Sequence, residues 1–115
     1  VVAAVPGKEW AKQVFPEKSE AQAMESLWEA IFCAVRIQDG DAVQAWREHD
    51  ALLSEKCEIL NKYQFTELHY ENEAGTDFRV GLVKNHIWEG GSEESGSGVR
   101  FIANMPTEEV FTMPD

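Results

Sequence analysis

The residues best suited to chemistry are two adjacent carboxylates, Glu108-Glu109. They follow Asn104-Met105-Pro106-Thr107 and precede Val110-Phe111-Thr112, so apolar residues stand on both sides. Neighbouring carboxylates repel, and a partly apolar setting raises the cost of keeping both charged. A cation, a metal ion or a proton that separates their roles relieves that cost. Hydrolytic metal chemistry divides the roles naturally: one carboxylate holds the ion and its neighbour handles the proton of the attacking water. Thr107-Glu108-Glu109 equally fits the start of a helix, where acids complement the positive end of the dipole. The residue types leave both readings open.

Other candidates point to structure. His49, His69 and His86 share no short metal-binding spacing. His49 has Asp50 beside it, but adjacent residues on a helix point about 100° apart. Cys33 and Cys57 are too few for a disulfide framework and match no metal spacing. Cys33 reads as helix core, with no basic neighbour to generate a thiolate. No Ser sits in a G-x-S-x-G elbow. The segment from Gly90 to Gly98 reads as a flexible exposed loop, with Glu93-Glu94 a solubilising pair. It is too acidic, and too poor in Lys and Thr, to cradle phosphate.

The elements that must position the carboxylates change in kind midway. Val1 to Val5 reads as the tail of a strand. After the Pro6-Gly7 turn, Lys8 to Phe15 forms a short helix that Pro16 ends. Ser19 is an N-cap, and Gln22 completes a capping box. Met24, Leu27, Trp28, Ile31 and Val35 form one apolar stripe on a helix of about 16 residues. Gln38-Asp39-Gly40-Asp41 is a turn, with Asp41 capping a helix that runs to Lys62 or Tyr63. Val43, Trp46, Leu53, Cys57 and Leu60 mark its buried side, and the short link predicts that these two helices form a hairpin. From Phe65 the period becomes two. Strands are predicted at 66–70, 77–82 (with Phe78, Val80 and Leu82 on one face), 87–88 and 99–103, with a return to extended chain at 110–112. The fold class is α+β, a helical hairpin in the N-terminal half on a small, mainly antiparallel sheet.

The chain has 115 residues, which suits one domain, 1–115, with a helical part at 7–63 and a sheet part at 65–112. Its net charge of −11 excludes the basic stripe a nucleic-acid binder needs and disfavours anionic lipid. No apolar run reaches the roughly 20 residues of a membrane span, and no signal peptide is visible. Reduced thiols fit a cytoplasmic protein. Both ends are abrupt and read as those of a piece of a longer polypeptide.

The segment Asn104-Met105-Pro106-Thr107-Glu108-Glu109-Val110-Phe111-Thr112 resembles the signature of the thermophilic metallo-aminopeptidases, the aminopeptidase T and aminopeptidase S type. The likeness extends along the chain in the family's order. It takes in Trp10-Ala11 with Val14-Phe15-Pro16, Leu27-Trp28 with Ala30-Ile31-Phe32, and Ala45-Trp46 with His49. It continues through Leu60-Asn61, Leu68-His69-Tyr70, Gly75-Thr76-Asp77, Val80-Gly81-Leu82 and Trp88 with Gly90-Gly91. The resemblance implies a cytoplasmic, dimeric enzyme that removes N-terminal amino acids from peptides. It implies two divalent metal ions, zinc or cobalt, with magnesium a further option. It makes Glu109 a metal ligand. Glu108 becomes the general base by analogy with adjacent carboxylates in other two-metal peptidases.

The family's remaining ligands, another Glu, two His and an Asp, have no counterpart here, and none of His49, His69 or His86 matches them. The expectation is therefore an internal fragment of a larger aminopeptidase, inactive alone and holding metal weakly or not at all. The negative charge would favour entry of a cationic substrate amino group into an acidic cavity. The competing expectation is a non-catalytic acidic α+β interaction, scaffold or dimerisation domain, in which Glu108-Glu109 caps a helix and every Trp is core.

Overall fold

A computed structural model describes residues 2–37 and 40–113. Val1 of the expected first strand and Gln38-Asp39 of the expected turn lie outside the described residues. The chain divides into two compact units. The first takes in the residues up to His49 and Ser92–Thr107; the second takes in Asp50–Gly91 and the residues from Glu108 onward.

The first unit begins with strand β1 (Val2–Ala3), helix α1 (Lys8–Val14) and helix α2 (Glu20–Ala34). The capping box at Ser19 forms as expected: its hydroxyl accepts from the Gln22 N–H, and the Gln22 side chain accepts from the Ser19 N–H. Ala11, Ala23 and Leu27 are buried, with Phe15, Met24 and Ile31 packed around them. Alanines at both contact points let α1 and α2 approach closely. The packed helix pair is thus α1 with α2, one connection earlier than the predicted hairpin. Lys12 supports the link by donating from Nζ to the carbonyls of Pro16 and Lys18.

Two residues of the α2 reading move outward. Cys33 is exposed, because it lies off the stripe that runs through Ala23, Leu27 and Ile31. Trp28 is at the exposed margin, where it packs on Phe32 with ring centroids 5.2 Å apart.

Helix α3 (Ala42–Tyr63) starts in the first unit and ends in the second. Asp41 caps it, its Oδ1 accepting from the N–H groups of Val43 and Gln44. Val43 is 60% exposed, contrary to expectation, since the buried stripe begins one turn later at Trp46. Trp46 donates from Nε1 to the Val35 carbonyl at 2.8 Å.

The segment expected to be a loop is a β-hairpin. Strand β5 (Ser92–Glu94) pairs antiparallel with β6 (Arg100–Ile102), placing Glu94 opposite Arg100. Ser95 closes the turn. Its carbonyl accepts from Gly98 N–H, its N–H donates to the Val99 carbonyl, and its hydroxyl accepts from Val99 N–H. Composition suggested a flexible loop, but these local bonds fix the turn. Strand β7 (Asn104–Met105) then pairs parallel with β1, and a cis peptide joins Met105 to Pro106.

In the second unit, α3 packs Cys57 against Leu82 and Trp88, with Leu60, Leu68 and Val110 around them. Strands β2 (Glu67–Glu71) and β3 (Asp77–Gly81) form an antiparallel hairpin. Leu82 is buried and Val80 half-buried, but Phe78 is 50% exposed. It stacks on Tyr70 at 4.8 Å instead of entering the core. Strand β4 (Glu89–Gly90) falls just after the predicted Ile87-Trp88 and pairs antiparallel with β8 (Val110–Phe111).

The fold is α+β, and most of its strand pairing is antiparallel. The described strands form four two-stranded ladders and not one small sheet. No helix among the described residues is long and apolar enough to cross a membrane.

Candidate active-site segment

The carboxylate pair lies on a stretch of chain held at points before and after it. Before it, in the first unit, Thr107 is buried and its carbonyl accepts a hydrogen bond from His49 Nε2 at 2.6 Å. His49 is itself buried on α3, in edge contact with the Trp46 ring.

After it, in the second unit, Val110 packs on the Cys57–Leu82–Trp88 core and stands opposite Gly90 in the β4–β8 ladder. Thr112 donates from its hydroxyl to the Ile87 carbonyl. Gly90 is required by close approach. A Cβ there would meet the Glu109 carbonyl oxygen at 2.7 Å and Val110 Cα at 3.0 Å.

Between these points Glu108 and Glu109 are exposed. The Glu108 N–H donates to Glu109 Oε2 at 3.1 Å. Two expectations are corrected here. No helix follows Thr107; the chain extends into β8, so the pair does not complement a helix dipole. The flanking apolar residues turn inward at Val110 while the carboxylates stay in solvent, so burial does not strain the pair.

The other two histidines make local bonds. His69 Nε2 meets Asp77 Oδ1 at 2.7 Å across the β2–β3 hairpin. His86 is buried and donates from Nδ1 to the Val83 carbonyl. Cys57 has a displaced acidity. Burial, and secondarily the Glu89 carboxylate, push its thiol above the ordinary range. An open groove of about 520 Å³ is lined by His86, Ile87, Glu89, Phe111, Thr112 and Met113. Neither Glu108 nor Glu109 lines it.

Hard oxygen donors suit divalent ions, and an exposed carboxylate such as Glu109 fits the part of one ligand. Among the described residues, however, no three or more His, Cys, Asp or Glu side chains come together as a metal site. The described residues therefore do not form a complete coordination sphere.

The hold on Thr107 was not foreseen from the sequence. The available signal was the placement of His49 three residues after Trp46 and four before Leu53, on the buried stripe of α3. A polar side chain on such a stripe requires a partner. The close approach at Gly90 had no sequence signal beyond the glycine itself.

An α+β chain that carries this carboxylate segment has close counterparts among metallopeptidases. Residues 1–115 match the thermophilic metalloprotease (M29) family, and the chain belongs to it. It is 50% identical to aminopeptidase PepS of Streptococcus thermophilus, over 99% of this chain and 28% of that protein. It is 45% identical to aminopeptidase T of Thermus aquaticus, over 91% of this chain and 26% of that protein. The structure of wild-type AmpT from Thermus thermophilus superposes with a TM-score of 0.81 at 42% identity, covering 95% of this chain and 26% of that one. The chain thus spans about a quarter of the length of the relatives it matches.

Proposed function

We propose that this chain is the part of a dinuclear-metal aminopeptidase that presents Glu109 as one metal ligand and Glu108 as the general base. The observation that carries the reading is an exposed carboxylate pair anchored on both flanks, within a chain that matches the M29 family from end to end. The substrates are peptides with a free N-terminus, and the enzyme is a cytoplasmic homodimer. Divalent ions, zinc or cobalt or alternatively magnesium, supply Lewis acidity and a lowered water pKa when bound.

The residues of this chain do the rest of what is assigned to it. Glu109 offers exposed carboxylate oxygens to the ion. Glu108 takes the proton of the attacking water on a carboxylate oxygen, a role its solvent exposure permits. The remaining ligands lie outside the described residues, so the chain alone is inactive and binds zinc weakly. A stoichiometric, submicromolar zinc site in this chain alone would overturn that.

The test uses the aminopeptidase that contains this chain, assayed for release of amino acids from small peptides with added zinc or cobalt. Glu109→Gln is expected to abolish metal-dependent activity and to lower bound metal. Glu108→Gln is expected to lower kcat by roughly 10²–10⁴-fold with bound metal unchanged. Full activity of Glu109→Gln would make the pair structural.

One observation favours a second, scaffold or dimer-contact role. The stacked Tyr70 and Phe78 rings are half-exposed on a two-stranded hairpin. Two of the four Trp, Trp10 and Trp28, are also exposed rather than core. Loss of dimer with retained specific activity in Tyr70→Ser would assign the hairpin to assembly.

A further inference from the structure

We infer that His49 is a positioning residue for the Glu108-Glu109 segment, acting through the Thr107 carbonyl. The inference rests on the reading of Glu109 as a metal ligand.

A carbonyl oxygen can only accept, so the 2.6 Å contact requires the proton on His49 Nε2. Both ends of this bond are buried: His49 is 7% exposed and Thr107 is 8% exposed. Water cannot replace the imidazole there without rearrangement, so its loss would orphan a buried carbonyl. Ring orientation is set from the same helix. Trp46, one turn earlier, meets the His49 ring edge-on with centroids 5.7 Å apart, and is tied down by its own bond to the Val35 carbonyl. The first turns of α3 thus carry two buried ring N–H donors, each holding the backbone of a non-helical segment.

The distance to the carboxylate is short along the chain. Glu109 is two residues beyond Thr107, and each residue advances the chain by at most about 3.6 Å. A fixed carbonyl at Thr107 therefore limits the volume that the Glu109 side chain can reach. A ligand on an untethered strand would lose more freedom on binding an ion than one two residues from a fixed carbonyl. Partners that hold ligand groups in place typically alter metal affinity 10–100-fold when removed.

The experiment uses the whole aminopeptidase containing this chain and measures zinc affinity by competition with a chelator, alongside a thermal melt. Four proteins are compared: wild type, Glu109→Gln, His49→Phe and His49→Gln. Phe keeps a ring against Trp46 but has no donor, whereas the Gln amide reaches as far as Nε2 and can donate. We expect His49→Phe to fold and to bind zinc at least ten-fold more weakly, and His49→Gln to stay within three-fold of wild type. If His49→Phe does not fold, His49→Asn, whose amide falls short of Thr107, takes its place. A folded donor-less variant that loses less than ten-fold, beside a weakened Glu109→Gln, overturns the role of His49 and leaves Glu109 standing. Equal losses in the donor-less variant and His49→Gln also overturn it, because packing and not the donated bond would be responsible. Unchanged affinity in Glu109→Gln removes the ligand reading and the His49 inference with it.

Discussion

Asn61 and Trp88 exchange two hydrogen bonds: Asn61 Nδ2 donates to the Trp88 carbonyl at 3.0 Å, and the Trp88 N–H donates to Asn61 Oδ1 at 2.7 Å. The side-chain amide replaces a strand neighbour at the point where the chain enters β4. Gln64, one residue past α3, donates to the His86 carbonyl, so the end of α3 and the residue after it hold the backbone at His86 and Trp88. That placement sets up β4, and through it the ladder to β8 that follows the carboxylates.

Asn61→Leu should therefore destabilise the protein by about 2 kcal/mol. Both Trp88 backbone groups lose their partner in a half-buried setting. Urea unfolding should show a lower midpoint with an unchanged slope. Stability within 0.5 kcal/mol of wild type, the range expected of an ordinary surface substitution, would show that the exchange is dispensable.

The capping box at α2 is exposed, and its effect should be smaller. Ser19→Ala removes the acceptor for the Gln22 N–H and should cost about 1 kcal/mol. Ser19→Asp should retain most of the stability, since a carboxylate also caps and complements the dipole. Equal losses in the two variants would argue against the cap as the cause.

Gly90 and Gly96 make a matched pair. An added Cβ at Gly90 meets backbone at Glu109 and Val110, whereas at Gly96 it meets nothing within 4 Å. Gly90→Ala should cost about 1–3 kcal/mol, while Gly96→Ala should lie within 0.5 kcal/mol of wild type. Comparable melting temperatures for the two would show that the segment around Glu109 yields easily.

Cys57 should respond to alkaline pH. Its thiol is raised above the ordinary range in the folded protein, by burial first and the Glu89 carboxylate second. The folded state therefore holds this proton more tightly than the unfolded state. The associated stability is complete below the unfolded thiol pKa and is lost as pH rises through the folded value. Cys57→Ser should flatten the decline of stability above about pH 9. In the native protein a thiol reagent should label exposed Cys33 well before buried Cys57. Equal rates would contradict the packing of Cys57 in the second unit's core.

What the sequence determined by itself was mostly local. The capping box at Ser19, the Asp41 cap, the stop at Pro16 and the extents of α2 and α3 follow from bonds and periodicities spanning a few residues. The carboxylate pair and its family resemblance were legible for the same reason, since a motif is a run of neighbouring residues. Longer-range contacts decided the rest. Glu108-Glu109 looked half-apolar in sequence and is exposed in space, because its neighbours Thr107 and Val110 turn inward while the carboxylates do not. The Gly/Ser segment looked like a flexible loop and is part of a hairpin, because its register with residues 100–102 supplies partners that composition does not show. The bond from His49 to Thr107 joins residues 58 positions apart. No local pattern encodes such a pairing; it exists only once packing removes water from both groups and leaves each as the other's partner.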